Sequence, residues 1–309
     1  MEYEYVDRLD NVYLIDTQMF GFAQYQSSYI VAGREVALID TGAPPSLQVV
    51  KESIEEHGFS VADIDHIFVT HCEHPDHAGN VGALLKENSK AKVHISEVGV
   101  EYLTNPEVEA TKRKAVLSPT MAARFGEQIP VPRSRIEFLE DGDVFDLGEG
   151  EKLRIMMAPG HQPSGFVVFE EKNNGLFIND LVGNYFPAAD VSLILTPSRA
   201  DVRQAMMALE KFKAMDISHL YLGHFGIHSD CRKVIQRSLD NMQMLMDIGE
   251  QCVCEGRPDD IRPRVFASKL PEVEKLMRFR GRELGEYTRD ELNQHHAEAF
   301  AQYFLALDR

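Results

Sequence analysis

Apolar positions in the opening part of the chain switch between two periods. Val12 to Ile15, Ser28 to Val31 and Val36 to Ile39 are short β-rich runs, and the last ends in Asp40-Thr41-Gly42, a turn signal. From Ser46 to Glu56 the period becomes helical, with Leu47, Val50 and Ile54 on one face and Gly58 as the stop. Ile64 to Val69 predicts another buried strand. His77 to Asn88 predicts a helix carried by Val81, Leu84 and Leu85, and Lys92 to Ile95 a further strand.

Over residues 97–135 the regularity weakens into helical stretches interrupted by prolines, which reads as a lid-like insertion. A second β-rich half follows, with strands expected at Arg135 to Leu139, Leu153 to Ala158, Phe166 to Glu170 and Leu176 to Ile178. The last two are joined by the hairpin signal Lys172-Asn173-Asn174-Gly175. A helix at Asp201 to Lys213 leads to a strand at Leu220 to Leu222. Two halves that each run strands then helices predict an α/β protein with two sheets face to face and helices outside. From Asp230 the pattern is helical, around Val234 to Ile248, Pro271 to Phe279 and Asp290 to Leu307. Breaks are expected at Gly249, Arg257-Pro258 and Arg262-Pro263. The division expected is 1–229 for the catalytic domain and 230–309 for a helical extension.

Charge narrows the partners. With 49 acidic against 32 basic side chains the net charge is −17, which opposes binding to nucleic acid or an anionic membrane. No run approaches the ~20 apolar residues of a membrane span, and the N-terminus lacks a secretory pattern. Four cysteines are too few for a disulfide framework, so a cytoplasmic setting is expected. Cys252 and Cys254 are too isolated to form a metal site alone. A small-molecule substrate is the expected partner, and the helical terminus makes a homodimer the expected assembly.

Candidate chemistry concentrates after the strand at Ile64 to Val69, in His71-Cys72-Glu73-His74-Pro75-Asp76-His77. Imidazoles and a carboxylate this close are suitable ligands for zinc, iron or manganese. Thr70 to Gly79 resembles the signature of the metallo-β-lactamase superfamily. Four more segments are similar to that family's motifs: Ala37 to Gly42, Pro159-Gly160-His161, Leu176 to Asp180 and Gly223-His224. In the family, Gly more often stands where Asn179 stands.

The resemblance implies a four-layer αββα sandwich and two divalent metal ions, Zn2+ or Fe, with Mn2+ also accommodated. It places His71, His74 and His161 on the first metal, Asp76, His77 and His224 on the second, and Asp180 between them. Asp40 would support the loops without binding metal. The family's first two histidines are separated by one residue, whereas His71 and His74 are separated by two. Cys72 and Glu73 therefore compete with His71 for the first position, and His71 is preferred because the strand leads directly into it. His57, His66, His94, His295 and His296 are read as structural, and His228 as a neighbour of the site. Tyr185, Phe186, Met121 and Phe125 are candidates for an apolar wall.

Two cations a few ångströms apart lower the pKa of a shared water, so hydrolysis needs no serine or cysteine nucleophile. Asp76 and Asp180 are the catalytic candidates, orienting that water and returning its proton to the leaving group. The short stretch between Asp180 and His224 leaves no room for a nuclease domain, which favours a small ester, thioester or lactone. The competing classes are a non-hydrolytic diiron protein that reduces or senses O2 or NO, and a ligand-binding regulator with little turnover. The purified protein is expected to carry about two metals per chain. Replacing His161 by alanine should lose metal and activity together, measured by elemental analysis and substrate assay; retention of both would exclude the assignment.

Overall fold

The computed structural model describes residues 5–116 and 118–307, without the side chains of 112, 113, 115 and 116. One seven-stranded sheet runs in chain order through β1 (Arg8–Leu9), β2 (Val12–Asp16), β3 (Ser27–Ala32), β4 (Val36–Ile39), β5 (Ile64–Phe68), β6 (Lys92–Ile95) and β7 (Ile136–Phe138). Pairing is antiparallel up to β4 and parallel from β4 to β7. Helices α1 (Leu47–Glu56), α2 (Pro75–Ala78) and α3 (Val81–Glu87) lie within this half. Helices α4 (Val100–Thr104), α5 (Pro106–Val116) and α6 (Pro119–Arg124) occupy the stretch read as an insertion.

The second sheet contains β8 (Val144–Gly148), β9 (Glu151–Met157), β10 (Phe166–Glu170) and β11 (Gly175–Asn179). A small hairpin of β12 (Asn184–Phe186) and β13 (Val191–Leu193) and helix α7 (Val202–Ala214) follow. β14 (His219–Leu222) then pairs parallel with β11, and β15 (Ile227–His228) closes the edge.

Strand alternation builds the layers. Tyr29, Val31, Ala37, Ile39 and Phe68 of the first sheet meet Ile155, Phe166, Val168, Phe177 and Tyr221 of the second. Their neighbours Ile30, Leu38 and Ile67 point the other way, onto Val50 and Ile54 of α1 and Leu84 of α3. On the outer face of the second sheet, Val167, Leu176, Ile178 and Leu222 pack on Leu209 and Phe212 of α7. The result is the expected αββα sandwich.

The chain ends in α8 (Cys231–Cys254), α9 (Ile261–Arg280), α10 (Arg282–Glu291), a π-helical turn at Leu292–His296 and α11 (Ala297–Leu307). Among the described residues no helix is long and apolar enough to cross a membrane. Val234, Leu245, Val265 and Phe300 of these helices share the core of the second sheet's outer face.

Two expected helix breaks are absent. Gly249 lies inside α8, where a Cβ would sit 2.6 Å from the ring of Phe304, so glycine here permits close approach of α11. Pro263 falls in the first turn of α9, where a missing N–H costs little, and α9 continues through Pro271. Conversely, the helix expected from His77 to Asn88 starts at Pro75 and is interrupted before Val81. There Asn80 donates to the carbonyls of Thr41 and Ala43, at 2.8 and 2.9 Å.

Substituting Gly249 by alanine should overpack the α8–α11 contact and cost about 1–3 kcal/mol. A lowered urea midpoint with unchanged metal content would be the signature, and an unchanged midpoint would contradict the packing.

Candidate metal centre

Every chemically distinctive residue sits just beyond a strand end on one edge of the sandwich. Asp40 follows β4, His71 to His77 follow β5, His161 lies in the β9–β10 connection, Asp180 follows β11 and His224 follows β14. Backbone bonds join the two sheets here. Phe166 N donates to Thr70 O at 3.0 Å and Ser27 N to Gly223 O at 2.8 Å.

Asp40 is the joint beneath the site. Its backbone is left-handed, with φ of 57°, and its buried carboxylate accepts from Thr70 N at 2.8 Å and from the Thr70 hydroxyl. It also accepts from His77 Nδ1 at 2.7 Å, which fixes the ring with Nε2 facing the centre. His224 is oriented in the same way, Nδ1 donating to the Tyr25 carbonyl at 3.2 Å. Gln26 holds the backbone of Asp76 through a bond from Nε2 to its carbonyl at 2.5 Å.

Two groups of donor atoms result, one from His71, His74 and His161, the other from Asp76, His77, Asp180 and His224. Asp180 lies between them. Its Oδ2 is 4.0 Å from His71 Nε2, 3.5 Å from His161 Nε2 and 3.4 Å from His224 Nε2, while Oδ1 is 3.2 Å from His77 Nε2. All seven residues named from the sequence are thus brought together.

Burial keeps His71 and His74 well below the ordinary histidine range and takes His161 down to about 4, so their nitrogens present lone pairs. Burial opposes the charges in the second group, but His77 and His224 pull Asp180 well below the carboxylate range. In turn Asp180 and Asp40 raise His77 despite its burial, so a cation binding there displaces protons.

Both ring nitrogens of His71 and of His161, together with Oδ1 of Asp76, are buried without any hydrogen-bond partner. Each such atom costs about 1–3 kcal/mol. Imidazoles and carboxylates converging in this way fit two divalent cations.

The competitors of His71 turn elsewhere. Cys72 packs into the core beneath Gly99, where a Cβ would stand 2.6 Å from its sulfur, and burial pushes its thiol well up. The Glu73 carboxylate accepts from Ser164 N at 2.9 Å, from the Ser164 hydroxyl and from Cys72 N at 3.1 Å, tying the β9–β10 connection to the histidine loop.

Asn179 accounts for the departure from glycine. Its φ of 49° and ψ of −143° lie where glycine is at ease, and its side chain compensates. Oδ1 accepts from Leu181 N at 2.9 Å and Nδ2 donates to Phe166 O at 2.8 Å.

The centre forms the floor of a pocket of about 120 Å3. Met19, Tyr25, Phe125 and Leu195 give it an apolar wall, while Glu291, His295 and His296 come from the C-terminal helices and Arg199 from the segment before α7. Phe125 was expected here. Tyr185 and Phe186 instead pack against His228 and Tyr25, and Met121 lies in the same core cluster as Phe186, away from the pocket lining. His228 bonds the Phe225 carbonyl, 3.2 Å away, and does not line the pocket. His295 and His296, read as structural, do: the ring of His295 is 6.3 Å from that of His74.

With this geometry in place, the comparisons are decisive about family. The metallo-β-lactamase superfamily model matches residues 21–224. The chain belongs to that superfamily. A probable metallo-hydrolase of Methanocaldococcus jannaschii is 25% identical over 211 residues, 66% of this chain and 89% of that protein. A diflavin flavoprotein of Synechocystis is 27% identical over 161 residues, covering 52% of this chain but only 24% of that protein. A metallo-β-lactamase family protein of Thermus thermophilus superposes with a TM-score of 0.68 at 19% identity, over 97% of this chain and 95% of its own. This last likeness is one of fold.

Gly223 is the tightest point of the site, since a Cβ there would lie 2.6 Å from Asp180 Oδ1 and 2.9 Å from His77 Cε1. The variant Gly223→Ala should displace both side chains and weaken the second metal at least tenfold, an effect of about 1.4 kcal/mol or more. Competition with a chelator measures it, and unchanged affinity would refute the assigned geometry.

Proposed function

We propose that this protein is a metal-dependent hydrolase of a small ester, thioester or lactone. The observation that carries the reading is the placement of Asp180 between two sets of donors at the floor of a pocket whose accessible surface is largely apolar. Two bound cations would supply a water acidified to near neutrality and an electrophile for the oxygen of the scissile bond.

The chain's own residues do the remainder. His71, His74 and His161 would hold one cation and Asp76, His77 and His224 the other, with Asp180 beside both sets. Asp76 and Asp180 orient the attacking water and carry its proton towards the leaving group. Met19, Tyr25, Phe125 and Leu195 take the apolar part of the substrate and exclude bulk water. The pocket volume favours a small substrate.

The diflavin relative supports the redox alternative only through a match to about a quarter of its length. Engagement of Glu73 by Ser164 weighs against recruiting that carboxylate to a cation. The test is a panel of esters, thioesters, lactones and phosphodiesters with zinc-, iron- and manganese-loaded protein. Turnover of a carboxylic ester-type member is expected, and Asp180→Asn should reduce kcat by about a hundredfold or more. A silent panel combined with an oxygen-dependent optical change in the iron form would overturn the reading in favour of the redox class.

A further inference from the structure

Behind the pocket wall lies a second cavity of about 10 Å3, the volume that one water requires. Its lining is mostly apolar, including Leu245, Val265 and Phe266, yet it contains Lys269 and His296. The Lys269 ammonium is 3% exposed and has no hydrogen-bond partner; His296 is 4% exposed and both its ring nitrogens are unpartnered. Orphaned groups of this kind are rare in native interiors. His296 also lines the main pocket, so this residue borders both spaces.

The backbone is built to put it there. Residues 292–296 form a π-helical turn, a feature that concentrates at functional sites, and it brings the consecutive residues His295 and His296 to one pocket. Thr196 fastens the turn by donating its hydroxyl to the His296 carbonyl at 2.9 Å.

We propose that His296 is a substrate-orienting hydrogen-bond donor of the main pocket and that Lys269 is its positioning residue, acting through one water in the small cavity. An ammonium only donates, so the water accepts from Lys269 and donates to the nearer ring nitrogen of His296. That nitrogen must then be the unprotonated one, and the other carries its hydrogen towards the pocket. The group it takes is an acceptor oxygen, the carbonyl of an ester-type substrate or the carboxylate of its product.

The protonation states agree. Burial takes Lys269 down only to about 8, so it is cationic at neutral pH, and burial beside His295 and His161 holds His296 well below the histidine range, so it is neutral. The substrate class rests on the hydrolase reading, whereas the tautomer and the donor do not.

The test uses full-length, zinc-loaded protein labelled with 15N-histidine, with butyrate as probe and His296→Gln to assign the His296 signals. One neutral tautomer is expected for His296, and butyrate should shift its N–H nitrogen. Lys269→Met should retain zinc, populate both tautomers and weaken butyrate about tenfold, as should His296→Phe. Mixed tautomers or an imidazolium in the unaltered protein would overturn the proposal, as would unchanged butyrate affinity in both variants. Should Lys269→Met fail to fold, the unaltered spectrum and His296→Phe decide. None of these readouts needs turnover: a silent substrate panel beside a single butyrate-sensitive tautomer defeats the hydrolase reading alone, and turnover beside mixed tautomers defeats this inference alone.

Discussion

The carboxylate of Asp40 is the contact on which the site depends. It closes the gap between the ends of β4 and β5 by accepting from both the amide and the hydroxyl of Thr70. Through His77 it also reaches the centre itself. A buried carboxylate with several donors has little freedom to move, so the loop from His71 to His77 inherits the rigidity of the sheet. Thr41 extends the hold, its amide and hydroxyl both donating to the His77 carbonyl at 2.8 and 3.0 Å. Candidate ligands on a loop thereby acquire the precision of side chains on a strand.

The second sheet supplies its share under tighter steric terms. Asp180 reaches the midpoint of the cluster because the chain turns sharply at Asn179, in a conformation costly for any residue with a Cβ. The two side-chain bonds of Asn179 offset that cost locally, which is how an asparagine stands where the family prefers glycine. Gly223 has no such latitude, because the volume a methyl group would take is filled by Asp180 and His77. Asp40, Asn179 and Gly223 thus set the positions of the donors without being donors themselves.

This division explains what the sequence made legible. Strand ends with sudden concentrations of His and Asp, such as His71 to His77 after Ile64 to Phe68, are local features, and their family pattern survives in order and spacing. Two strands are hidden for different reasons: β8 begins at an exposed Val144 and carries Asp146, whereas β12 is buried throughout but its three residues are too few to show a period. Glycine and proline were over-read in the C-terminal helices, because at Gly249 tertiary packing against Phe304, not helix termination, decides the residue. The choice among His71, Cys72 and Glu73 was undecidable from spacing, since it turns on which side chains the loop directs inward. Ser164 and Gly99, far along the chain or across the core, settle where Glu73 and Cys72 go.

The least legible part is the pocket's outer wall, and the reason is physical. Glu291, His295 and His296 lie far along the chain from His71 and His74 and meet them only because the end of α10 and the π-helical turn fold back over the site. In a regular helix, consecutive residues diverge by about 100°, so two adjacent histidines read as at most one inward side chain. At the π-helical turn both histidines nevertheless line the pocket. The donors and the outer wall of the pocket therefore come from different layers of the molecule: strand ends of the sandwich carry the groups that could hold cations, while residues beyond Asp230 line the space above them. Changes in the C-terminal helices can reshape the pocket wall without disturbing the donors, because no described residue of 230–307 belongs to either donor group.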